Sequence, residues 1–407
     1  MARDRHYDLI LFGATGFTGR LVAEYLVRHA GADLRWALAG RSQAKLEAVR
    51  RELAAIDARA GALPIVLADA HDEAALIALA RTTTAVCTTV GPYLAHGAAL
   101  VAACVAAGAA YCDLTGEVPF VRQMIDRHHA AAVASGARIV HCCGFDSVPS
   151  DLGVWVLQRD LESHHGRGAP SVTALFEIKG GASGGTVASM LGLVDAAARD
   201  REVRRLLLDP YALDPAGAPR GGDRDARGPG YDRALGVFTA PFVMAAVNTR
   251  VVRRSHALLD YPWGDVWHYD ERMGLPRSAR GAAMAVGVTG ALAGFVAATQ
   301  LAPLRRALEA RLPKPGEGPS AEVRQRGRYR VRLHGTVDGV TRVATFADDL
   351  DPGYAGTAKL LGEAALALAL DPPASGGGVL TPAVALAPVL VPRLRAAGVT
   401  IDVATLA

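Results

Sequence analysis

A glycine-rich turn near the N-terminus has the spacing of a phosphate-binding loop, Gly13-Ala14-Thr15-Gly16-Phe17-Thr18-Gly19. It follows an apolar run at residues 7–13 and precedes a segment of helical periodicity at residues 17–29. Gly13 permits a tight turn, Gly16 lets the backbone approach a pyrophosphate, and Gly19 allows close helix packing. The free N–H groups and the dipole at the start of the helix favour anions. We therefore expect residues 13–19 to bind a dinucleotide.

The end of the second predicted strand indicates which nucleotide binds. NAD enzymes place an acid here to bind the ribose 2′-OH, whereas this chain has Arg41 and Ser42. A guanidinium is permanently charged and its planar fork fits a phosphate, so NADP(H) is the expected cofactor. The alternative for Arg41 is an ordinary surface residue at the sheet edge. Asp69, after the third predicted strand, either contacts the adenine or caps the next helix.

Further candidate residues follow the later predicted strands, where ligands lie in sheets of this kind. Gly91 and Pro92 are expected at the nicotinamide side of the cofactor, and Tyr93 is expected to project into the cleft. Asp113 and Asp146 are predicted either to serve substrate chemistry or to cap helices. Tyr93 and Asp146 are the predicted catalytic residues.

These residues need a scaffold of alternating strands and helices, and the first 150 residues have that pattern. Short apolar runs of this length are typical of parallel strands covered on both faces. Helical segments separate them, which predicts an α/β fold with an N-terminal Rossmann domain, a doubly wound parallel sheet, over residues 1–150. The predicted strands are residues 7–13, 34–39, 63–68, 85–90, 110–114 and 138–142.

After residue 150 the pattern changes to that of a second, α+β substrate domain over residues 151–346. The predicted sheet segments are residues 171–179, 242–257 and 261–272, with a hairpin of 323–337 and 340–346 around Asp338-Gly339. Helices are expected at residues 186–200, 356–370 and 381–397, and a short strand at 399–403. Residues 209–233 are predicted to form a long exposed loop, and 313–320 a linker.

One apolar segment has no charged residue from Gly281 to Leu304 and is flanked by arginines. Its length permits a membrane span, and Gly290-x-x-x-Gly294 permits close helix packing. Three alternatives stay open: a buried or dimer-interface helix, association with a membrane surface, and a true span.

Composition excludes several classes of protein. A net charge of +4 over 407 residues argues against a nucleic-acid-binding protein. The five cysteines form no CxxC pair and no histidine cluster has ligand spacing, so we expect no metal and a reducing compartment. The N-terminus lacks the apolar core of a signal peptide, which favours the cytoplasm.

The chain resembles the saccharopine dehydrogenase-like oxidoreductases, and among them the bacterial trans-acting enoyl reductases. The resemblance depends on GATGFTG (13–19), AGRS (39–42), VGPY (90–93), YCDLTGE (111–117), CGFDSVPSD (143–151), DPGYAGTAKLLGE (351–363) and GGVLTP (377–382). It implies a Rossmann domain, an inserted substrate domain, and a C-terminal segment, residues 347–407, that returns to the first domain.

The resemblance also implies NADPH-dependent reduction of a carbon–carbon double bond in a lipid or polyketide intermediate, delivered by a partner acyl carrier or synthase. Tyr93 is then the candidate donor to the enolate oxygen, and a packed aromatic residue with a satisfied hydroxyl is the alternative. Two other functions stay open: an amino-acid-forming saccharopine dehydrogenase, and a non-catalytic NADP(H)-binding sensor or scaffold. A short-chain dehydrogenase is disfavoured because no Tyr has a Lys four residues later.

Overall fold

A computed structural model describes residues 5–179, 184–300, 304 and 326–406. The described residues form two compact units. The first contains residues up to 148 together with 353–398, and the second contains the remainder. The predicted linker at 313–320 lies outside the described residues.

The N-terminal part of the chain alternates strands and helices as the sequence predicts. Its elements are β1 (Tyr7–Phe12), α1 (Phe17–His29), β2 (Trp36–Gly40), α2 (Gln43–Ala54), β3 (Ile65–Leu67), α3 (Glu73–Thr82), β4 (Thr83–Thr88), α4 (Tyr93–His96), α5 (Ala98–Ala107), β5 (Ala110–Cys112), α6 (Val118–Ser135) and β6 (Arg138–Val140).

The middle of the chain is richer in antiparallel strands, and the C-terminal part returns to helices. The middle elements are α7 (Val148–His165), β7 (Ser171–Lys179), α8 (Gly184–Arg199), α9 (Arg201–Leu208), β8 (Gly230–Asp232), β9 (Val237–Pro241), α10 (Ala245–Leu258), β10 (His268–Leu275), α11 (Ala279–Gln300), β11 (Arg328–Val337) and β12 (Val340–Asp348). The last elements are α12 (Thr357–Leu370), β13 (Gly378–Leu380), α13 (Pro382–Ala396) and β14 (Thr400–Thr405).

The first unit is built on a parallel sheet with the strand order β13-β6-β5-β4-β1-β2-β3. Its central strand β1 is apolar and carries Leu9, Ile10 and Leu11, which are fully buried. Strands covered by helices on both faces need such continuous apolar runs. The predicted Rossmann sheet is confirmed, and it brings the ends of β1, β2, β4, β5 and β6 to one edge.

The C-terminal helix α12 packs into the first unit through buried polar contacts. The Tyr25 hydroxyl of α1 donates to Glu363 Oε1 at 2.7 Å, and Arg138 Nη2 of β6 donates to the Leu368 carbonyl at 3.1 Å. Strand β13 then extends the sheet beside β6. The prediction that all of residues 347–407 return to the first domain is wrong at both ends, because residues up to 352 belong to the second unit and β14 pairs with β12 there.

The second unit contains a mixed sheet with the strand order β14-β12-β11-β7-β10-β9-β8. Only the β7–β10 pairing is parallel among its described strands. The predicted hairpin turn is present, and Asp338 and Gly339 both have positive φ, 50° and 77°. The predicted α+β class of this domain is confirmed.

One sheet segment predicted for the second unit is wrong, because residues 242–257 lie mostly in helix α10. Nearly every α10 residue is buried, polar ones included. The segment contains the β-branched residues Val247, Val251 and Val252, which favour strands, so its composition resembles that of a strand. The adjacent prediction at 261–272 overlaps β10 only in its second half.

The arginines of α10 hold the loop that precedes β8. Arg250 Nη1 donates to Asp225 Oδ1 at 2.5 Å, and Arg253 Nε donates to Asp223 Oδ2 at 2.9 Å. Both guanidinium groups are almost fully buried. The region predicted as a long exposed loop is therefore irregular but anchored, because buried charges require partners.

A buried carboxyl lies beside this helix in the second unit. Glu271 of β10 accepts hydrogen bonds from the Tyr269 hydroxyl at 2.8 Å and from Asn248 Nδ2 at 3.0 Å. Its side chain is fully buried, and burial raises its pKa to about 7. Near neutral pH this carboxyl is therefore partly protonated.

The apolar segment at 281–304 lies largely in helix α11, which is exposed in the single chain. Residues Ala279–Thr299 are long and apolar enough to cross a membrane; in an 18-residue stretch of this helix the mean hydropathy is 1.7 and 11% of the residues are buried. The alternative of a helix buried in this chain's own core is therefore wrong. A dimer-interface helix, association with a membrane surface and a true span stay predictions for α11.

Candidate active site

The glycine-rich turn lies at the end of β1 and has no room for a side chain at Gly13 or at Gly19. Gly13 has a φ of 92°, and a Cβ there would lie 2.7 Å from Val90 Cγ2. A Cβ on Gly19 would lie 2.2 Å from the Gly13 carbonyl oxygen. The backbone at Gly19 therefore packs directly against the backbone of Gly13 where α1 begins, as a phosphate-binding turn requires.

Helix α1 starts from this turn without a side-chain cap. Gly16 is its N-cap residue in an extended conformation, and no side chain accepts a hydrogen bond from the first turn. The first residues of a helix have N–H groups without intrahelical partners, which suits a phosphate. Ala14, Thr15, Phe17 and Thr18 all lie in this turn or in the first turn of α1.

The residues after β2 face solvent. Arg41 is exposed and forms no hydrogen bond or ion pair with any described residue. Ser42 is the N-cap residue of α2, but its hydroxyl does not cap the helix. A free guanidinium and a free hydroxyl at this edge fit a ribose 2′-phosphate.

Asp69 lies near the same edge after β3. Its carboxylate accepts a hydrogen bond from the backbone N–H of His71 at 3.0 Å. The cap of α3 is Asp72, which accepts from the Ala75 N–H. The capping alternative for Asp69 is therefore wrong, and its predicted contact with the adenine stays a prediction.

The segment after β4 contains the exposed residues Gly91 and Pro92, joined by a cis peptide bond, and then Tyr93. The Glu117 carboxylate accepts hydrogen bonds from the backbone N–H groups of Tyr93 at 3.0 Å and Leu94 at 2.8 Å. Two charge-assisted bonds fix the start of α4. The sequence placed Glu117 after β5 but did not reveal this pairing.

Tyr93 is a buried residue whose hydroxyl is already hydrogen-bonded. It donates to the Thr88 carbonyl at 3.2 Å and accepts from the Leu114 N–H at 3.4 Å. Burial raises the pKa of Tyr93 well above its usual value. These contacts are those of the packed-aromatic alternative, and the catalytic role of Tyr93 stays a prediction.

Asp113, after β5, is a buried junction between two strand ends. Its Oδ2 accepts from the Tyr111 hydroxyl at 2.9 Å and from His141 Nδ1 at 2.7 Å. Its Oδ1 accepts from the N–H groups of Thr115 and Cys142, each at 3.1 Å. A carboxylate with four donors is fully satisfied. Its position points to structural support rather than to contact with a substrate.

His141 is a residue that sequence reasoning missed. It follows β6, its side chain is 2% exposed, and its Nε2 has no hydrogen-bond partner among the described residues. Because Nδ1 faces the Asp113 carboxylate, Nδ1 carries the proton and Nε2 is an acceptor in the neutral ring. An Asp after one strand and a His after the next could have signalled this pair.

The loop after His141 positions Asp146. The Cys143 N–H donates to the Asp113 carbonyl at 2.7 Å, and the Phe145 N–H donates to Thr357 Oγ1 at 3.1 Å. The loop is therefore held on both sides of Gly144. Thr357 begins α12, so a distant C-terminal motif helps to shape this loop.

Asp146 differs from the other acids at this edge. Its side chain keeps partial access to solvent and has no hydrogen-bond or ion-pair partner among the described residues. Its surroundings desolvate the carboxyl and raise its pKa to about 6. A carboxyl without a structural partner and with a pKa near neutrality suits proton transfer. No described element begins at Asp146, and α7 begins two residues later.

The five cysteines, Cys87, Cys104, Cys112, Cys142 and Cys143, all lie in the first unit. All five cysteines are free and buried, because a free cysteine packs in a core as a small apolar side chain. Among the described residues, no group of three or more His, Cys, Asp or Glu side chains is placed to hold a metal ion.

Comparisons with known proteins agree with this geometry. The saccharopine dehydrogenase NADP binding domain family matches residues 9–140. A Mycobacterium tuberculosis protein whose name assigns it to the trans-acting enoyl reductases is 46% identical over 425 aligned positions, which cover 100% of this chain and 99% of the relative. Trans-acting enoyl reductases of Mycobacterium bovis and Mycobacterium ulcerans are 42% and 43% identical, with 90% of each chain covered.

A solved structure shares the fold of both units. Apo saccharopine dehydrogenase (L-Glu forming) from Saccharomyces cerevisiae has a TM-score of 0.54 and 13% identity, covering 98% of this chain and 100% of its own. The first unit is an NADP-binding domain, and the protein is an NADP(H)-dependent oxidoreductase. The chain belongs to the family of trans-acting enoyl reductases, within the saccharopine dehydrogenase-like oxidoreductases.

Proposed function

We propose that this protein uses NADPH to reduce the carbon–carbon double bond of an enoyl thioester, in a lipid or polyketide intermediate presented by a partner synthase. Relatives named trans-acting enoyl reductase align over nearly the whole chain. The single observation that carries the proposal is Asp146, a carboxyl without a structural partner at the carboxyl edge of the cofactor sheet.

The residues at this edge fit the cofactor. A Cβ at Gly13 or at Gly19 would clash with neighbouring atoms, and α1 begins at this turn without a side-chain cap. The unpaired Arg41 guanidinium is suited to the 2′-phosphate, with the Ser42 hydroxyl beside it in sequence. When bound, NADPH supplies a hydride to the β carbon of the enoyl group.

The chain must then handle the charge that this hydride leaves on the substrate. Addition at the β carbon produces an enolate, and a proton at the α carbon completes a two-electron reduction. In our proposal the Asp146 carboxyl donates that proton and regains one from solvent. A pKa of about 6 leaves a useful protonated fraction near neutral pH.

Tyr93 is the second predicted catalytic residue, as a hydroxyl donor to the enolate oxygen. In the free protein its hydroxyl is bonded to the Thr88 carbonyl. Its participation would require that bond to be exchanged for one to substrate. We therefore assign Asp146 the larger share of the expected chemistry.

The decisive experiment follows oxidation of NADPH by the purified protein with a crotonyl thioester, and identifies the product by mass spectrometry. Gain of two hydrogens, one from the nicotinamide and one from solvent, supports the proposal. With saccharopine and NADP⁺, growth of the nicotinamide absorbance would instead favour the amino-acid alternative. Tight NADPH binding with no turnover of either substrate would favour the sensor alternative.

A further inference from the structure

A groove lined by arginines lies along helix α9 in the second unit. Its volume is about 790 Å³, and its lining includes Arg201, Arg204, Arg205, Leu208, Asp209 and Arg220. No residue of α9 is buried, so the helix contributes little to the core of its own unit. The catalytic chemistry proposed above uses none of these residues.

Most of the positive charge in this groove is not neutralised by the residues that the structure describes. Arg220 forms an ion pair with Asp209, at 3.1 Å and 3.2 Å. Arg204 Nε donates only to the Ala197 carbonyl, at 3.1 Å. Arg201 and Arg205 form no hydrogen bond or ion pair with any described residue. The lining therefore carries four positive charges and one negative charge.

Two acids at the start of α9, Asp200 and Glu202, do not line the groove. Asp200 is the N-cap residue of α9 and accepts from the Glu202 N–H at 2.7 Å. Acids at a helix start are stabilised by the dipole and by free N–H groups. The start of α9 therefore explains why acids occur at positions 200 and 202.

The arginines and a leucine lie along one side of α9. Arg201, Arg204 or Arg205, and Leu208 follow the spacing of three, four and seven residues that places side chains on one helix face. Leu208 is 67% exposed. An exposed leucine beside unpaired arginines is typical of a surface that binds protein, because arginine is enriched and apolar area is buried at interfaces.

We propose that this groove docks the acidic face of the carrier domain that presents the acyl chain. The inference rests on the proposed function, since an enzyme acting in trans must recognise its substrate's carrier. Charge complementarity supports this occupant: unpaired arginines attract carboxylates and speed a brief encounter. The mixed apolar and basic lining fits a protein surface better than a small free anion.

The test compares one thioester in two forms, crotonyl loaded on a stand-alone bacterial acyl carrier protein and crotonyl-pantetheine without a carrier. In the variant with both Arg201→Ala and Arg205→Ala, kcat/KM for the carrier-bound substrate should fall about tenfold, the effect of losing two interface charges. For crotonyl-pantetheine it should not change. Raised ionic strength should erase the difference between wild type and variant.

Arg233→Ala is the matched control, because Arg233 is an exposed arginine of the same unit that forms no hydrogen bond with any described residue. It should leave both substrates unaffected. Thermal unfolding of all variants should match wild type, since no removed group has a hydrogen-bond or ion-pair partner in the described part of the chain.

Titration calorimetry with the carrier protein separates this proposal from the proposed function. Carrier binding that weakens about tenfold in the double variant supports docking even if no enoyl thioester is reduced. Docking is overturned if the double variant loses activity equally with both thioesters, or if wild type and double variant bind the carrier with equal affinity. It is also overturned if Arg233→Ala has the same effect as the double variant. Reduction of crotonyl-pantetheine in those cases leaves the enoyl reductase proposal intact.

Discussion

Replacement of Arg41 by alanine is the sharpest test of how this protein chooses its cofactor. The guanidinium has no partner among the described residues, so its removal leaves no group of the protein unpaired. A hydrogen bond to a charged group contributes about 1.5–3 kcal/mol. Arg41→Ala should therefore weaken NADPH binding about 10- to 150-fold.

NADH lacks the 2′-phosphate, so its affinity should stay the same or rise slightly. Titration calorimetry with both nucleotides measures the two affinities directly. Arg51→Ala is the control, because Arg51 is an exposed arginine of α2 without a hydrogen bond to any described residue. Arg41→Lys should lie between wild type and Arg41→Ala, since it keeps the charge but loses the planar fork.

Two results would refute this reasoning. A parallel loss of NADPH and NADH affinity in Arg41→Ala would mean that Arg41 supports the shared part of the nucleotide or the fold. An unchanged preference for NADPH would mean that another group recognises the 2′-phosphate. Thermal unfolding of the variant should match wild type and exclude a general loss of structure.

Four further changes test the site and the second unit. Asp146→Asn should lower kcat at least 10²-fold with little change in NADPH affinity. In wild type, kcat/KM should decline above about pH 6, where the acid loses its proton, and the variant should lack this decline. A decline retained in the variant would exclude Asp146 as the acid. Tyr93→Phe should lower turnover more than NADPH affinity, and unchanged turnover would remove Tyr93 from the mechanism. Gly19→Ala should abolish tight NADPH binding, because its Cβ would meet a backbone carbonyl at 2.2 Å; wild-type affinity would contradict the cradle. The pKa of Glu271 rises from 4.5 to about 7 on folding, so this carboxyl favours the folded state fully only below pH 4.5. In chemical denaturation, wild type should therefore lose on the order of 2–3 kcal/mol of unfolding free energy relative to Glu271→Gln between about pH 5 and about pH 8. Parallel pH curves for the two proteins would contradict the burial of Glu271 as a carboxyl.

The NADP-binding domain and its cofactor could be predicted because the sequence signals for them are local. Gly13 and Gly19 act within one turn, and Arg41 follows the strand that brings it there. A single sequence motif in its strand–helix context therefore indicates the chemistry. The sheet order then only has to place consecutive βα units side by side.

The catalytic half could not be predicted to the same extent because its contacts are long-range. The pairing of Asp113 with His141 requires β5 and β6 to be neighbours. The bond from Phe145 to Thr357 joins residues 212 positions apart. Residue type alone did not distinguish the satisfied Asp113 from the unpartnered Asp146, since burial and hydrogen-bond partners decide which acid can transfer a proton.

Helix α10 shows the same limit in the second unit. Its buried arginines have loop aspartates as partners, and those partners lie about 25 or more residues away in sequence. Local patterns predict burial from apolarity, so they cannot anticipate a helix that buries charge through distant ion pairs.

The return of α12 and β13 to the first sheet has a consequence for how the protein is made. During synthesis β6 leaves the ribosome more than two hundred residues before its neighbour β13 and before the carbonyl that binds Arg138. Until then β6 is an unprotected sheet edge, and Tyr25 lacks its buried acceptor. A nascent chain stopped near residue 150 should therefore need chaperones and aggregate when released. The NADP-binding half is complete only after α12 and β13 have been synthesised.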